Sequence, residues 1–169
     1  TQQKIREIFL ERIVQAKGLS KAAALLSDIM MPTPSAVLQA MELLSQGCEG
    51  EMGIGDLIAV DVGGATSDVY SIADGMPTSM NTVYKGLPEP FAKRTVEGDL
   101  GMRYSLMHVF EQIPGANQPE NEFMQQVKSW VELCTSHPDT LAAAGSQEEK
   151  IEEFLGRSAV SMAVERHCG

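Results

Sequence analysis

The segment DVGGATSD, residues 61–68, places two aspartates on either side of a glycine turn. An ionised carboxylate at Asp61, which has apolar neighbours, is costly to bury unless a cation, a metal-bound water or a set of donors compensates it. Gly63 and Gly64 permit backbone conformations closed to other residues and a close approach to a ligand. The Thr-Ser pair that follows adds hydroxyl and N–H groups. Together these residue types can hold phosphate oxygens without a lysine.

Two interpretations of this segment differ in what the aspartates do. In a phosphate loop, Asp61 binds Mg²⁺ through water, because hard cations prefer carboxylate and water oxygens and bridge nucleotide phosphates. Asp68 then lies on the far side of the turn. In a plain hairpin, Gly-Gly is a favourable turn and both aspartates face water. We favour the phosphate loop because the whole eight-residue pattern lies between two apolar segments. It is neither a Walker A loop, which requires G-K-[ST], nor a dinucleotide fingerprint, which requires G-x-G-x-x-G.

Composition excludes several other classes of protein. The chain has 169 residues, of which 43% are hydrophobic, enough for a sizeable core. Its 23 acidic and 13 basic residues give a net charge of -10, which argues against non-specific binding of nucleic acid. There is no apolar run of ~18 residues and no signal-peptide pattern, so we expect no membrane association.

The cysteines and histidines favour neither a disulfide framework nor a metal centre. The three cysteines include no C-x-x-C pair, and the three histidines are far apart in the sequence. Reduced thiols in a cytoplasmic protein are the expected state.

Helices are predicted before the glycine turn. Apolar residues recur at helical spacing in the first 46 residues, with a break before Pro32. Thr33 is the expected N-cap of a helix with Pro34 in its first turn and an end near Gly47. The glycine-rich stretch 47–55 is expected to be a loop.

The strands are predicted at residues 57–62, 69–73 and 79–85, forming a three-stranded meander. The first is expected to be covered on both faces, because Asp61 alone interrupts its apolar run. Residues 86–105 are expected to be a long polar connection into a helix that stops at Pro114.

The remainder is predicted to be helical. One apolar stripe runs from Phe123 to Cys134, and Ser146 with Glu149 forms a capping box. The predicted fold class is α/β, or α+β within this chain, with a small glycine-turn sheet packed by helices. Three regions are expected: a helical region at 1–47, the meander and its following helix at 48–113, and a second helical region at 114–169.

The glycine turn resembles the second phosphate loop of the actin, heat-shock chaperone and sugar-kinase ATPase superfamily. Its surroundings are similar to the MutL (GlmL) family, through the stretches GDLIAVDVGGATSDVYSIADG, NTVYKGLPEPFAKRTVEGDLGMRYS and AVERHCG. Members of that family are accessory proteins of adenosylcobalamin-dependent glutamate mutase and related aminomutases. The resemblance implies an actin-like, ribonuclease-H-like ATPase domain that uses ATP and Mg²⁺, releases ADP and reactivates the mutase.

The resemblance also implies roles for individual residues. Asp61 corresponds to the metal-associated acid, and Asp68 closes the motif as the second catalytic carboxylate. The phosphate-contacting turn corresponds to Gly63, Gly64, Ala65, Thr66 and Ser67. A strand-to-helix junction that approaches the nucleotide corresponds to Glu97, Gly98, Asp99 and Gly101.

The chemistry of that junction stays open on the residues alone. Glu97 and Asp99 suit ribose hydroxyls or a metal, and equally an acidic first turn of a helix. The basic residues around it either face an anion or are solvated, and we favour solvation. They are Lys85, Lys93, Arg94 and Arg103.

The sequence contains neither a first phosphate loop nor an adenosine loop of the G-T-G-G type. We therefore expect this chain to hold one half of a two-part nucleotide site, as an internal piece of a longer protein. Two alternatives are a non-catalytic module that docks on the mutase and a sugar-kinase-like phosphotransferase.

Overall fold

The computed structural model describes residues 4, 32–75, 89–116, 118 and 120–169. The chain divides into two compact units, Thr1–Gly55 and Asp56–Gly169. The predicted helices before residue 32 and the predicted strand at 79–85 lie outside the described residues. In the described part, the fold is mixed α/β with small antiparallel sheets, which confirms the predicted fold class.

The described part of the first unit contains one helix and a very short hairpin. Helix α1 spans Thr33–Gln46, strand β1 spans Gly47–Cys48 and strand β2 spans Glu51–Met52. The predicted N-cap at Thr33 is wrong by one residue: the carbonyl of Pro32 accepts from the N–H groups of Ser35 and Ala36, so Thr33 is already helical. The predicted loop 47–55 contains the paired strands β1 and β2.

The described part of the second unit is built on a three-stranded antiparallel sheet with its middle strand buried. Strand β3 spans Leu57–Val62, β4 spans Ser67–Ile72 and β5 spans Ala92–Glu97, in the order β3-β4-β5. The β5 strand corrects the prediction of a polar connection at 86–105. Its side chains alternate between half-buried and exposed positions, as a strand with one covered face requires.

Strand β3 is less covered than its sequence predicted. Among the described residues it pairs with β4 alone, and the side chain of Ile58 is 48% exposed. The expectation of a strand covered on both faces is therefore wrong for the described part of the chain.

Three helices follow the sheet and form the core with it. Helix α2 spans Leu106–Gln112, α3 spans Glu122–Ser136 and α4 spans Gln147–Cys168. The α4 helix packs on β3 and β4. The predicted N-cap at Ser146 is confirmed, because its hydroxyl accepts from the N–H of Glu149 at 3.2 Å. The Glu149 carboxylate accepts from the N–H of Gly145 rather than from that of Ser146, so the second bond of the predicted capping box is displaced by one residue. No helix in the described ranges is long and apolar enough to cross a membrane.

Candidate functional site

The DVGGATSD segment forms a tight hairpin between β3 and β4. Asp61 lies opposite Asp68 in the strand register, and the N–H of Gly63 donates to the carbonyl of Thr66 at 2.8 Å. Neither Gly63 nor Gly64 has a positive φ, so unusual backbone angles do not explain these glycines. At Gly63 the reason is space, because a Cβ atom would lie 2.9 Å from the Thr66 carbonyl oxygen.

The carbonyl groups of the turn are held by one segment, residues 98–105, which we call the docking segment. The N–H of Met102 donates to the Gly63 carbonyl at 2.9 Å, and the N–H groups of Arg103 and Tyr104 donate to the Gly64 carbonyl at 2.8 Å. The hydroxyl of Ser105 donates to the Ala65 carbonyl at 2.6 Å. Three consecutive carbonyl groups of the turn therefore face the same piece of protein.

Gly101 allows this close approach. A Cβ atom at Gly101 would lie 2.3 Å from the carbonyl carbon of Ala65, which only a glycine avoids without moving the backbone. A second attachment lies at the base of the turn, where the buried hydroxyl of Ser67 donates to the Leu100 carbonyl at 2.5 Å. The turn and the docking segment are thus packed backbone against backbone.

The N–H groups of the turn must point the other way. In a planar trans peptide the C=O and the following N–H are antiparallel. Because the carbonyls of Gly63, Gly64 and Ala65 face the docking segment, the N–H groups of Gly64, Ala65 and Thr66 face away from it. In the described part of the chain, none of these three N–H groups has an acceptor. Adjacent unpaired N–H groups can bind an anion.

Asp61 stands beside this turn with its carboxylate available. Its side chain is exposed, so the expected cost of burying it does not arise. It forms no hydrogen bond or ion pair with any described residue. Within the structure as described, it is thus available to a metal-bound water.

Asp68 is in a different state, because β5 supplies its partner. The Nε atom of Arg94 donates to its carboxylate at 2.8 Å, within an ion pair. The neighbouring Tyr70 hydroxyl has its pKa raised, mainly by burial and secondly by the charge of Asp68. The carboxylate of Asp68 therefore already has a positive partner.

The other described basic residues near the turn are also paired. Lys93 pairs with Glu89 at 2.7 Å, and Arg103 pairs with Glu152 of α4 at 2.8 Å. Lys85 lies outside the described residues. The expectation that these side chains are merely solvated is wrong for the described three, which form ion pairs.

Glu97 and Asp99 are held together by Arg166 near the end of α4. The guanidinium lies 2.8 Å from the Glu97 carboxylate and 2.6 Å from that of Asp99. The hydrogen bond from Arg166 lowers the pKa of Asp99 to about 2. Neither residue lies in the first turn of a helix, because α2 begins at Leu106. The interpretation as an acidic first turn is therefore wrong.

His167 is a buried polar residue to which the sequence assigned no role. Its Nε2 and Nδ1 atoms each lie 2.8 Å from a hydroxyl, of Ser71 on β4 and of Thr95 on β5. Burial, and secondly the charge of Lys93, lower the pKa of this imidazole. It fixes the end of α4 to the sheet.

In the described part of the chain, no group of three or more histidine, cysteine, aspartate or glutamate side chains could hold a metal ion.

Comparison with known proteins decides the family. A family model described as MutL protein matches residues 1–169. The chain belongs to the MutL family. It is similar to a MutL relative, Protein MutL from Clostridium tetanomorphum, with 44% identity over 169 residues. The alignment covers 99% of the chain and 36% of the relative, so the chain spans just over a third of that MutL protein's length. No solved structure matches the chain.

These findings confirm the family recognised from the sequence. They contain no actin-like structure, so the actin-like, ribonuclease-H-like domain stays a prediction, as do the three regions.

Proposed function

We propose that residues 61–68 form half of a Mg²⁺-nucleotide site in an ATP-dependent protein that reactivates an adenosylcobalamin-dependent mutase. The observation that carries the nucleotide part is the orientation of the turn. The N–H groups of Gly64, Ala65 and Thr66 face away from the docking segment and have no acceptor in the described part of the chain. Phosphate oxygens of ATP or ADP are acceptors of the kind that such groups bind.

Asp61 supplies the negative charge that the metal requires. A carboxylate beside a phosphate-binding turn would hold Mg²⁺ through water, and the bound metal would supply positive charge that offsets the charge of the phosphates. Asp68 then has a positioning role, because its carboxylate forms an ion pair with Arg94 at the base of the same hairpin. The chemistry needs no covalent step on the protein, since water is the acceptor of the phosphoryl group.

The mutase is proposed from membership of the MutL family. Glutamate mutase or a related aminomutase is the expected partner, and exchange of its damaged cofactor is the expected outcome of nucleotide-driven movement. Because the chain spans 36% of its relative, the full-length protein is the object to test.

The Asp61→Asn variant of the full-length protein tests the metal role. We expect Mg²⁺-dependent ATP hydrolysis to fall by roughly 10- to 100-fold, the usual effect of losing an outer-sphere group at a metal. The matched control is Asp74→Asn, which removes an exposed carboxylate beyond the other end of the hairpin. Hydrolysis at the wild-type rate in Asp61→Asn would remove Asp61 from the mechanism. Nucleotide binding without hydrolysis in the wild type would favour the non-catalytic docking module.

A further inference from the structure

A groove of about 660 Å³ lies between α3 and the first turns of α4, away from the glycine turn. Its apolar lining comes from Trp130, Leu133 and Ile151. Leu133 is 43% exposed, although it lies on the same helix as the buried core residues. We call this site the Trp130 groove.

The indole of Trp130 has an unsatisfied donor. The side chain lines the groove and the residue is only 7% exposed; its Nε1 atom is itself buried and has no hydrogen-bond partner in the described part of the chain. Buried indole N–H groups usually find an acceptor. A carbonyl group that enters the groove, with a small shift of the ring, would provide one.

The charged side chains that line the groove are both acidic. They are Glu122, at the start of α3, and Glu148, in the first turn of α4. Hydrogen bonds from the backbone and from Ser146 lower the pKa of Glu148. The groove therefore favours a cation.

Primary amides complete the lining. Gln126 and Gln147 lie on opposite sides and are joined by a long hydrogen bond, in which the Gln147 Nε2 atom donates to the Gln126 Oε1 atom at 3.5 Å. Such side chains can both donate to and accept from a peptide backbone. The site thus combines acceptors for a cation, an apolar floor and groups that pair with main chain.

We propose that the Trp130 groove binds a lysine- or arginine-containing segment of a partner protein. The aliphatic stem of the basic side chain lies on the apolar floor, as such stems do on protein surfaces. Its charged end lies between Glu122 and Glu148. A main-chain carbonyl of the same segment accepts from the indole N–H of Trp130.

The test uses the full-length protein labelled with ¹⁵N and two short peptides, acetyl-Leu-Lys-Leu-Lys-amide and its counterpart with glutamate in place of lysine. The indole N–H signal of Trp130 is assigned with a Trp130→Phe variant. We expect the basic peptide to shift this signal and the acidic peptide to leave it unchanged. The double variant Glu122→Gln/Glu148→Gln should weaken binding about tenfold, as two surface ion pairs allow.

The matched control is Glu132→Gln/Glu153→Gln, which removes the same charge from the same two helices outside the groove. It should bind the basic peptide as the wild type does. An unmoved indole signal, an equal response to the acidic peptide, or equal weakening by both double variants would overturn the proposal. So would equally tight binding of n-butylamine, which would make the groove a site for small amines.

Discussion

Replacing Gly101 with alanine should loosen the glycine turn from the docking segment. The new Cβ atom would lie 2.3 to 2.6 Å from three backbone atoms of Ala65, none of which can move alone. Overpacking of this kind costs ~1–3 kcal/mol. Separation of the two segments also weakens hydrogen bonds between them, worth ~1 kcal/mol each. We therefore expect local opening to become easier by ~2–4 kcal/mol.

Amide hydrogen exchange measures this opening directly. The N–H groups of Met102, Arg103 and Tyr104 donate to the turn, so they exchange only when the two segments separate. A change of ~2–4 kcal/mol should accelerate their exchange roughly 30- to 700-fold, since 1.4 kcal/mol corresponds to a factor of ten. Affinity for Mg²⁺-ADP should fall in the same variant, because the turn would no longer be held in one orientation.

The control is Gly98→Ala, which adds the same methyl group to the same segment. A Cβ atom at Gly98 meets nothing within 4 Å, and neither glycine has a positive φ. Its exchange rates should match the wild type. If Gly101→Ala leaves the exchange of Met102, Arg103 and Tyr104 unchanged, the contact between Gly101 and Ala65 does not position the turn.

Two further predictions concern pH. The hydrogen bond from Arg166 lowers the pKa of Asp99 from 3.8 to about 2, so this carboxylate should stay ionised down to about pH 2. Because the pKa is lower in the folded state, the stability that Asp99 contributes is present above pH 3.8 and is lost as the pH falls through about 2. A carboxyl ¹³C titration with a midpoint near 3.8 would contradict this. His167 has a pKa below its ordinary 6.5, so the unfolded chain takes up the proton first and stability should fall as the pH drops below 6.5. Unfolding of wild type and His167→Gln, compared at several pH values, should show this loss in the wild type alone, and parallel profiles would count against it.

The hairpin and the later helices could be predicted because their signals are local. Gly-Gly between two apolar runs specifies a turn, and the turn sets the pairing of Asp61 with Asp68. The spacing from Phe123 to Cys134 and the capping box at Ser146 specify helices in the same way.

Strand β5 was not predicted because its charged residues interrupt the alternation of apolar and polar side chains that is typical of a strand. Lys93 and Thr95 lie on the face that meets the end of α4, where the Lys93 ammonium donates to the His167 carbonyl. Arg94 is exposed and pairs with Asp68, which is 26 residues away in the sequence. Since the sequence alone does not show these distant partners, the segment has the pattern of a polar connection.

The environment of Glu97 and Asp99 could not be predicted either, because their partner is also distant in the sequence. Their shared partner, Arg166, follows 67 residues after Asp99. Nothing local to the junction indicates that α4 returns to it, so the local sequence is compatible only with ligand contacts or a helix start. The family resemblance implies that Gly101 approaches the nucleotide, and in the structure Gly101 packs against the backbone of Ala65.

The orientation of the turn is tested most directly by the amide signals of Gly64, Ala65 and Thr66 in the full-length protein titrated with Mg²⁺-ADP. Binding should shift all three signals and slow their hydrogen exchange, while Met102, Arg103 and Tyr104, already bonded to the turn, change little. Saturable nucleotide binding that leaves the three turn amides unaffected would contradict the phosphate loop. Absence of any nucleotide binding would contradict it equally.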